Sequence, residues 1–227
     1  MRQLEELIND ADSAWPIVQT WLHNATNDVE ILPARDPDRA EALVATQVTT
    51  RSTMGAIVFE TGGLLIDSGW LRILGSGHPR LSRSLPAWNL NRTVHEEGQA
   101  PPFVLVGDDA LGGFFAINGG ELGLAMGNIH YFAPDRLEWE DLGRGYSDFI
   151  HWCLNGELGQ FYAGYRWPGW EEEVAAIDGD QALAIYPPLW AQGPPIGERR
   201  RAPIAIAELY ALYVSNESDS GYLEEEA

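Results

Sequence analysis

Two adjacent carboxylates, Asp108 and Asp109, are the first residues of this chain whose types could do chemistry. They follow the apolar run 103–106 and precede a Gly pair at 112–113, which indicates a strand end or a turn. Paired carboxylates can act as general acid and base, but neighbouring side chains in extended backbone point to opposite sides. Asp in a turn also accepts hydrogen bonds from nearby backbone N–H groups. We therefore favour turn capping for this pair, while one of the two could orient a ligand.

His78 is a second candidate, because it lies within 75–102, the longest irregular segment of the chain. Long irregular segments in compact domains often carry function. Together with Asp67, Arg72 and Asp108 near the ends of predicted strands, His78 could build a hydrolase-like site. This hypothesis requires that the four groups converge in one polar pocket within hydrogen-bond reach.

The familiar motifs for metals, cofactors and nucleophiles are absent from the sequence. No two of the five His residues have the i, i+4 spacing of a metal site, and one Cys excludes Cys-x-x-Cys. The chain has no Lys, so it has no Gly-Lys-Ser/Thr phosphate loop, and Ser76 lacks a Gly-x-Ser-x-Gly context. We expect no metal and no cofactor, and we favour a non-enzymatic protein over an enzyme.

Three Trp residues, Trp70, Trp88 and Trp139, suggest binding of another kind. Trp rings stack on sugars and small molecules and are enriched in binding sites. The chain has nine Trp, however, and packing between sheet and helices explains most of them more economically. A small-molecule or glycan binder that uses these rings and the 75–102 segment is the alternative that stays open. The basic cluster 199–201 is predicted to be a solvated loop.

Charge restricts the classes of partner. The 34 acidic and 14 basic residues give a formal net charge of −20, and every basic residue is Arg. Such a potential repels nucleic-acid phosphates and anionic membranes, so we expect neither as a direct partner. It suits a basic protein such as a toxin, although a genome-wide replacement of Lys by Arg with enrichment in acids explains the composition more simply. Homo-oligomerisation is left open.

The compartment is predicted from the cysteine and from the apolar segments. Cys153 cannot form an internal disulfide and lies in an apolar patch, as a small buried thiol does. Residues 1–10 lack the apolar region of a signal peptide, and no window has the 18 or more apolar residues of a membrane span. A cytoplasmic location is the expectation.

The elements that must position these residues indicate a single α+β domain over 1–227, with a mainly antiparallel central sheet and helices packed on it. Residues 1–48 are predicted as a helical lead-in and 49–145 as the sheet core. A hairpin is expected from 54–59 and 64–67, with its turn at Thr61-Gly62-Gly63. Further strands are predicted at 71–74, 103–106, 113–117 and 128–132.

The remainder of the chain is predicted to be helical with one further strand. Helices are expected over 146–154, 158–165, 168–177 and 204–214, and a strand over 182–186. Residues 216–227 hold five acids and are expected to form a frayed acidic tail.

Several segments together resemble a known family. They are residues 47–50, 54–56, 61–63, 67–77, 108–109, 112–120, 131–135 and 161–170. In this pattern the chain resembles an uncharacterised bacterial family, domain of unknown function 2625. The resemblance spans most of the chain and implies no established activity.

A more distant similarity is to the SUKH superfamily, which includes bacterial immunity proteins. It rests on the strands 104–106 and 113–116, on the Tyr131 strand, and on 146–150 entering a helix. The resemblance implies a sheet with helices packed on it and a protein-binding role without catalysis. Our leading hypothesis from the sequence is therefore a non-enzymatic protein-binding domain that neutralises a toxin by occlusion.

Overall fold

The computed structural model describes residues 1–94 and 100–220, with the backbone alone over 214–220. It shows a seven-stranded antiparallel sheet, a separate two-stranded ribbon and helices packed around them. The predicted α+β class with an antiparallel central sheet and an N-terminal helix is confirmed.

The sheet is a meander in which each strand is antiparallel to the next along the chain. Its strands are β1 (Val29–Pro33), β2 (Thr61–Ile66), β3 (Leu71–Leu74), β4 (Phe103–Asp109), β5 (Phe114–Asn118), β6 (Asn128–Ala133) and β7 (Glu138–Gly145). The ribbon consists of β8 (Gln181–Tyr186) and β9 (Arg200–Ala205). The helices are α1 (Leu4–Leu7), α2 (Trp15–His23), α3 (Asp38–Thr46), α4 (Thr53–Glu60), α5 (Leu85–Asn89), α6 (Tyr146–Asn155), α7 (Leu158–Phe161), α8 (Trp170–Ala175) and α9 (Ile206–Ser220), with one 3-10 turn at Ile196–Glu198.

Helices cover both faces of the sheet. Side chains alternate between faces along a strand, so the neighbours Phe114 and Phe115 of β5 point in opposite directions. The Phe114 ring packs edge-on against Tyr210 of α9, with centroids 5.0 Å apart. The Phe115 ring lies 4.9 Å from that of Phe149 of α6 on the other face. The central sheet is therefore the middle layer of the molecule.

Two glycines allow close approach of the backbone where β4 joins its neighbours. A Cβ on Gly107, at the irregular point of β4, would lie 2.5 Å from the carbonyl oxygen of Arg72 on β3. A Cβ on Gly113 would lie 2.2 Å from a carboxylate oxygen of Asp109. Only glycine fits at Gly107, where the clash is with backbone. At Gly113 a Cβ would displace the Asp109 carboxylate, so glycine there keeps Asp109 in its position.

The predicted strand at 54–59 is wrong, because these residues belong to α4. The Ser52 hydroxyl accepts a hydrogen bond from the Gly55 N–H at 3.0 Å and begins the helix as its N-cap. A short apolar run fits a helix buried on most sides as well as a buried strand. Thr61-Gly62-Gly63, predicted as the hairpin turn, instead begins β2, whose six residues are all buried.

Three strands were not predicted from the sequence. β1 lies within the segment predicted as a helical lead-in and pairs with β2. β7 pairs with β6, and β9 pairs with β8. All three lie at the edge of a sheet, where polar residues and Pro are common and the alternation of apolar residues is weak.

Two predicted irregular segments are more ordered than expected. The segment 75–102 contains α5, which begins after the N-cap Ser84; its residues 95–99 lie outside the described ranges. Of the cluster predicted as a solvated loop, Arg199 donates to the carbonyls of Pro187 and Pro188, and Arg201 pairs with Glu173.

At the C-terminus, α9 runs to Ser220, and residues 221–227 of the predicted acidic tail lie outside the described part. Among the described residues no helix has the length and apolarity needed to cross a membrane.

Candidate functional site

Arg72 and Asp108 meet in a buried ion network between β3 and β4. They are Cα partners in the register of the two strands, and Arg72 Nη1 lies 3.3 Å from Asp108 Oδ1. Arg83 donates to the other carboxylate oxygen at 2.6 Å and to Asp180 at 2.9 Å. The side chain of Arg72 is 1 % exposed and that of Asp108 is fully buried. The carboxylate is thus occupied by two guanidinium groups and holds the sheet to the segment that precedes β8.

Asp109 lies in a separate network on the other side of β4. Its Oδ1 accepts hydrogen bonds from the N–H groups of Leu111 and Gly113, both at 2.9 Å, and its Oδ2 accepts one from the Tyr131 hydroxyl at 2.8 Å. Burial raises the pKa of Asp109, although these three donors favour the ionised form. The two neighbouring acids therefore do not share a proton or a ligand, and Asp109 caps the β4–β5 turn.

Asp67 and Trp70 belong to an aromatic cluster around Arg166. Asp67 accepts from Arg166 Nη2 at 2.7 Å, and the guanidinium lies over the rings of Trp170, at 4.1 Å, and Trp70, at 4.9 Å. Trp70 has no exposed surface and packs against Tyr162, with ring centroids 5.3 Å apart. These contacts join the β2–β3 turn to the α7–α8 region and leave Trp70 no face for a sugar.

His78 lies apart from the other groups of the hydrolase hypothesis. Its Nδ1 accepts the backbone N–H of Arg80 at 3.2 Å, and its own backbone pairs with Leu81 in a tight turn. Among the described residues no hydrogen bond joins it to Asp67, Arg72 or Asp108. Arg72 lines a small cavity of about 370 Å³ beside the β2–β3 turn, and the other three groups do not. The structure does not provide the convergent polar pocket that this hypothesis requires.

Trp88 connects the ion network to a second region. It is only 3 % exposed, and the guanidinium carbons of Arg83 and Arg92 lie 4.5 and 3.9 Å from its ring centroid. Arg92 also donates from Nη1 to the Trp88 carbonyl at 2.9 Å. Trp88 is thus a buried platform for two cations, and a ligand cannot stack on it from solvent.

Trp139 lines another cavity, which has a volume of about 660 Å³. Phe114, Phe132 and Trp139 are successive Cα partners across β5, β6 and β7, so their side chains form one row on a single face of the sheet. The Trp139 ring lies 5.3 Å from Phe132 and 5.5 Å from Phe103 of β4. Four neighbouring strands therefore supply the floor of this cavity, which we call the aromatic cavity. Phe103 and Trp139 are partly exposed, whereas Phe114 and Phe132 are only 1 % and 2 % exposed and support them from the core.

Helix α9 and two loops complete the aromatic cavity. Tyr210 and Tyr213 of α9 contribute two more rings, and Tyr213 stacks on Phe132 with centroids 5.8 Å apart. The remaining lining side chains are Arg92, Glu121, Leu122 and Glu138. Clefts between about 300 and 1,000 Å³ that combine aromatic side chains with polar groups are typical of small-molecule sites. The volume of this cavity lies in that range, and its lining is polar and apolar in similar proportion.

Trp139 was predicted from the sequence as a binding residue, and the other rings of the cavity were not. The alternation of residues in β5 and β6 assigns Phe114 and Phe132 each to one face of its own strand. It could not place them next to Trp139, because β7 was not recognised as a strand. Nor does any local pattern bring α9 against this face. Among the side chains that the structure describes, in residues 1–94 and 100–213, no group of three or more His, Cys, Asp or Glu could hold a metal ion.

Comparison with known proteins identifies relatives but not an activity. The profile of a family described as protein of unknown function DUF2625 matches residues 4–209. The chain is 46 % identical over 212 residues to the uncharacterized protein YbfG of Escherichia coli strain K12, covering 93 % of this chain and 95 % of that protein. It is 41 % identical over 189 residues to an uncharacterized protein of Haemophilus influenzae strain Rd, covering 83 % of each.

No solved structure matches the chain. The distant SUKH similarity gains no support from these comparisons and stays a prediction, whereas the first family resemblance is confirmed. The chain belongs to the DUF2625 family of proteins of unknown function.

Proposed function

We propose that this chain is a non-enzymatic binding protein whose aromatic cavity takes a small organic ligand. The observation that carries the proposal is an open cavity of about 660 Å³ whose lining includes aromatic side chains from four strands and one helix, with Phe103, Trp139 and Tyr210 partly exposed. Aromatic rings offer a large apolar contact area and stack on flat or aliphatic groups. Rigid strands also position the rings before a ligand arrives, which lowers the entropic cost of binding.

The sequence predicted a small-molecule site at three Trp residues. Trp139 belongs to the site proposed here, whereas Trp70 and Trp88 do not. Both of those rings are buried among side chains of the chain itself, so a glycan cannot reach them. From the 75–102 segment, the lining of the proposed site includes Arg92. The other described lining residues come from elsewhere in the chain.

A cavity-filling variant with a matched control tests the proposal. Leu122 lines the cavity, whereas Leu124, two residues along the same loop, is fully exposed and does not line it. We expect the neutral fluorescent probe N-phenyl-1-naphthylamine to bind the purified protein with a stoichiometry of one. Leu122→Trp places a bulkier side chain in the cavity beside the rings that would contact the probe and should weaken binding at least tenfold, while Leu124→Trp should leave it within twofold.

The proposal fails if the probe does not bind, or if the two Trp variants bind it equally. Circular dichroism and thermal melting of both variants check that they fold. A screen of small organic compounds by thermal shift then identifies ligands, whose stabilising effect should be lost in Leu122→Trp alone.

A basic protein partner is a second candidate, favoured by the net charge of −20 and by a specific surface feature. Leu124 and Met126 are exposed at the tip of the β5–β6 loop, close in sequence to the acidic Glu121. Exposed apolar groups beside acids suit a partner with an apolar patch and basic rim. This is the immunity-type hypothesis, with toxin neutralisation in the cytoplasm as its concrete form.

Coexpression with the product of the neighbouring gene tests this second candidate. Protection of growth by the wild type, and its loss in Leu124→Asp with Met126→Asp, would support it. Equal growth with and without this chain would contradict it.

A further inference from the structure

Arg92 is held in a defined position at the wall of the aromatic cavity. It follows α5, and its backbone N–H donates to Asn89 at 3.0 Å. Its guanidinium lies over the Trp88 ring and donates to the Trp88 carbonyl, as described above. The ring centroid of Tyr210, which also lines the cavity, lies 6.0 Å from the guanidinium carbon of Arg92. The side chain is therefore oriented before any ligand binds.

The charge of Arg92 is less compensated than that of the neighbouring Arg83. Arg83 contacts two carboxylates, Asp108 and Asp180. Among the described side chains, those of residues 1–94 and 100–213, no carboxylate lies within ion-pair distance of Arg92, although the chain has 34 acids and 14 basic residues. Burial lowers the pKa of Arg92, the neighbouring Tyr210 opposes this shift, and the positive charge of Arg83 adds to it. A nearby anion would stabilise the guanidinium.

The two carboxylates of the lining do not fill this role. Glu121 and Glu138 are exposed and remain solvated. Solvated carboxylates gain little from a cationic ligand, because water screens the attraction. Arg92 is partly buried and stacked, and hydrogen bonds from such a guanidinium to an anion are charge-assisted. Arg92 should therefore bind an anion more strongly than Glu121 and Glu138 bind a cation.

We propose that the aromatic cavity binds an amphipathic organic anion, with its apolar body on the partly exposed rings of Phe103, Trp139 and Tyr210 and its carboxylate, sulfonate or phosphate group on Arg92. This inference rests on the proposed ligand-binding function and specifies the chemical class of the ligand. The N–H groups of a planar arginine guanidinium form a fork whose geometry suits two oxygens of one anionic group.

Two fluorescent probes with nearly the same body test the role of the anionic group. The probe 8-anilinonaphthalene-1-sulfonate carries a sulfonate, and N-phenyl-1-naphthylamine does not. Arg92→Gln should weaken binding of the sulfonate probe at least tenfold and change binding of the neutral probe less than threefold. Retained neutral-probe binding also shows that the cavity is still folded.

Arg51→Gln is the matched control, because it makes the same change in net charge at an exposed ion pair with Asp12. It should leave both affinities within twofold. Arg92→Lys, which keeps the charge without the planar fork, should recover part of the sulfonate-probe affinity. Competition adds a further readout: benzenesulfonate should displace the probes at lower concentration than phenyltrimethylammonium.

The outcomes separate the two proposals. If the neutral probe binds in a manner sensitive to Leu122→Trp, but Arg92→Gln affects both probes alike, the ligand class proposed here is wrong and the binding function stands. Stronger displacement by phenyltrimethylammonium would also overturn the anionic class, in favour of an organic cation. If the neutral probe does not bind, the binding function itself fails.

Discussion

Asp108 is the residue on which the largest buried charge network depends. One carboxylate receives hydrogen bonds from Arg72 and Arg83, and all three side chains are almost completely removed from solvent. Buried charges are tolerated only when paired, because each pays a desolvation cost. Asp109, its neighbour, is satisfied instead by two backbone N–H groups and a tyrosine hydroxyl. The two acids therefore stabilise the fold by different means.

We expect Asp108→Asn to lower the free energy of unfolding by about 3–5 kcal/mol, since it leaves two buried guanidinium groups without their shared carboxylate. Urea denaturation measures this change. Asp12→Asn makes the same chemical change in the exposed pair with Arg51 and should cost less than about 1 kcal/mol. Equal effects of the two substitutions would show that the buried network contributes nothing beyond a surface pair.

Asp109 should give stability a specific dependence on pH. Its pKa is raised by burial above the ordinary 3.8, so on raising the pH the unfolded chain loses this proton before the folded protein does. The contribution of Asp109 to stability should therefore fall as pH rises from 3.8 through its folded-state pKa, so the stability of the wild type relative to Asp109→Asn should decrease over this range. Urea denaturation of both proteins between pH 3.5 and 7 measures the difference; parallel curves would contradict the prediction.

At the scale of elements, α4 and the edge strands decide the layout around the sheet. α4 lies directly before β2, and the two are joined without a loop. Gly55 allows this helix to approach the segment before it, since a Cβ there would lie 2.1 Å from the carbonyl oxygen of Thr49. The same short apolar sequence could have been a strand; the Ser52 cap and this close packing make it a helix.

Two Gly→Ala substitutions in helices should therefore have opposite effects. Gly55→Ala in α4 should destabilise the protein by roughly 1–3 kcal/mol or more, because the methyl group meets backbone that cannot move aside. Gly159 in α7 has no atom within 4 Å of its added Cβ, so Gly159→Ala should be neutral or stabilise by up to about 1 kcal/mol. Thermal and urea denaturation measure both; a destabilising Gly159→Ala or a neutral Gly55→Ala would contradict this account.

At the scale of the whole molecule, the formal net charge of −20 opposes folding. Like charges come closer together in the compact state than in the unfolded chain, so self-repulsion destabilises it. Arg residues offset part of this repulsion in pairs such as Arg83–Asp180 and Arg201–Glu173. Because the chain has 34 acidic and only 14 basic residues, most of the acids cannot each have a basic partner of their own.

Salt should consequently stabilise this protein. Raising NaCl from 10 to 500 mM shortens the screening length from about 30 Å to less than 8 Å. We expect the melting temperature to rise by roughly 3–8 °C, which corresponds to one or a few kcal/mol for a chain of this size. Differential scanning calorimetry measures the rise, with KCl as the control for an effect specific to sodium. A melting temperature that stays constant or falls would contradict the dominance of repulsion.

The sequence predicted much of the fold but little of the candidate site. The strands β3 to β6, and helix α6, were recognised because apolar alternation and turn residues are local signals. β1, β7 and β9 were missed because edge strands carry weak alternation. Of the predicted site residues, Asp67, Trp70, Arg72, Trp88, Asp108 and Asp109 make internal contacts, His78 lies in a turn, and Trp139 alone lines the aromatic cavity.

The sequence by itself determined the fold class, the excess of negative charge and the family, because these follow from composition, local periodicity and segments that are contiguous in the chain. Only the tertiary structure decided which residues surround the aromatic cavity. Phe114, Phe132 and Trp139 become neighbours through strand register, and Tyr213 and Arg92 join them through the packing of α9 and the position of α5. Register and packing depend on contacts between distant segments, which no local pattern of residues specifies.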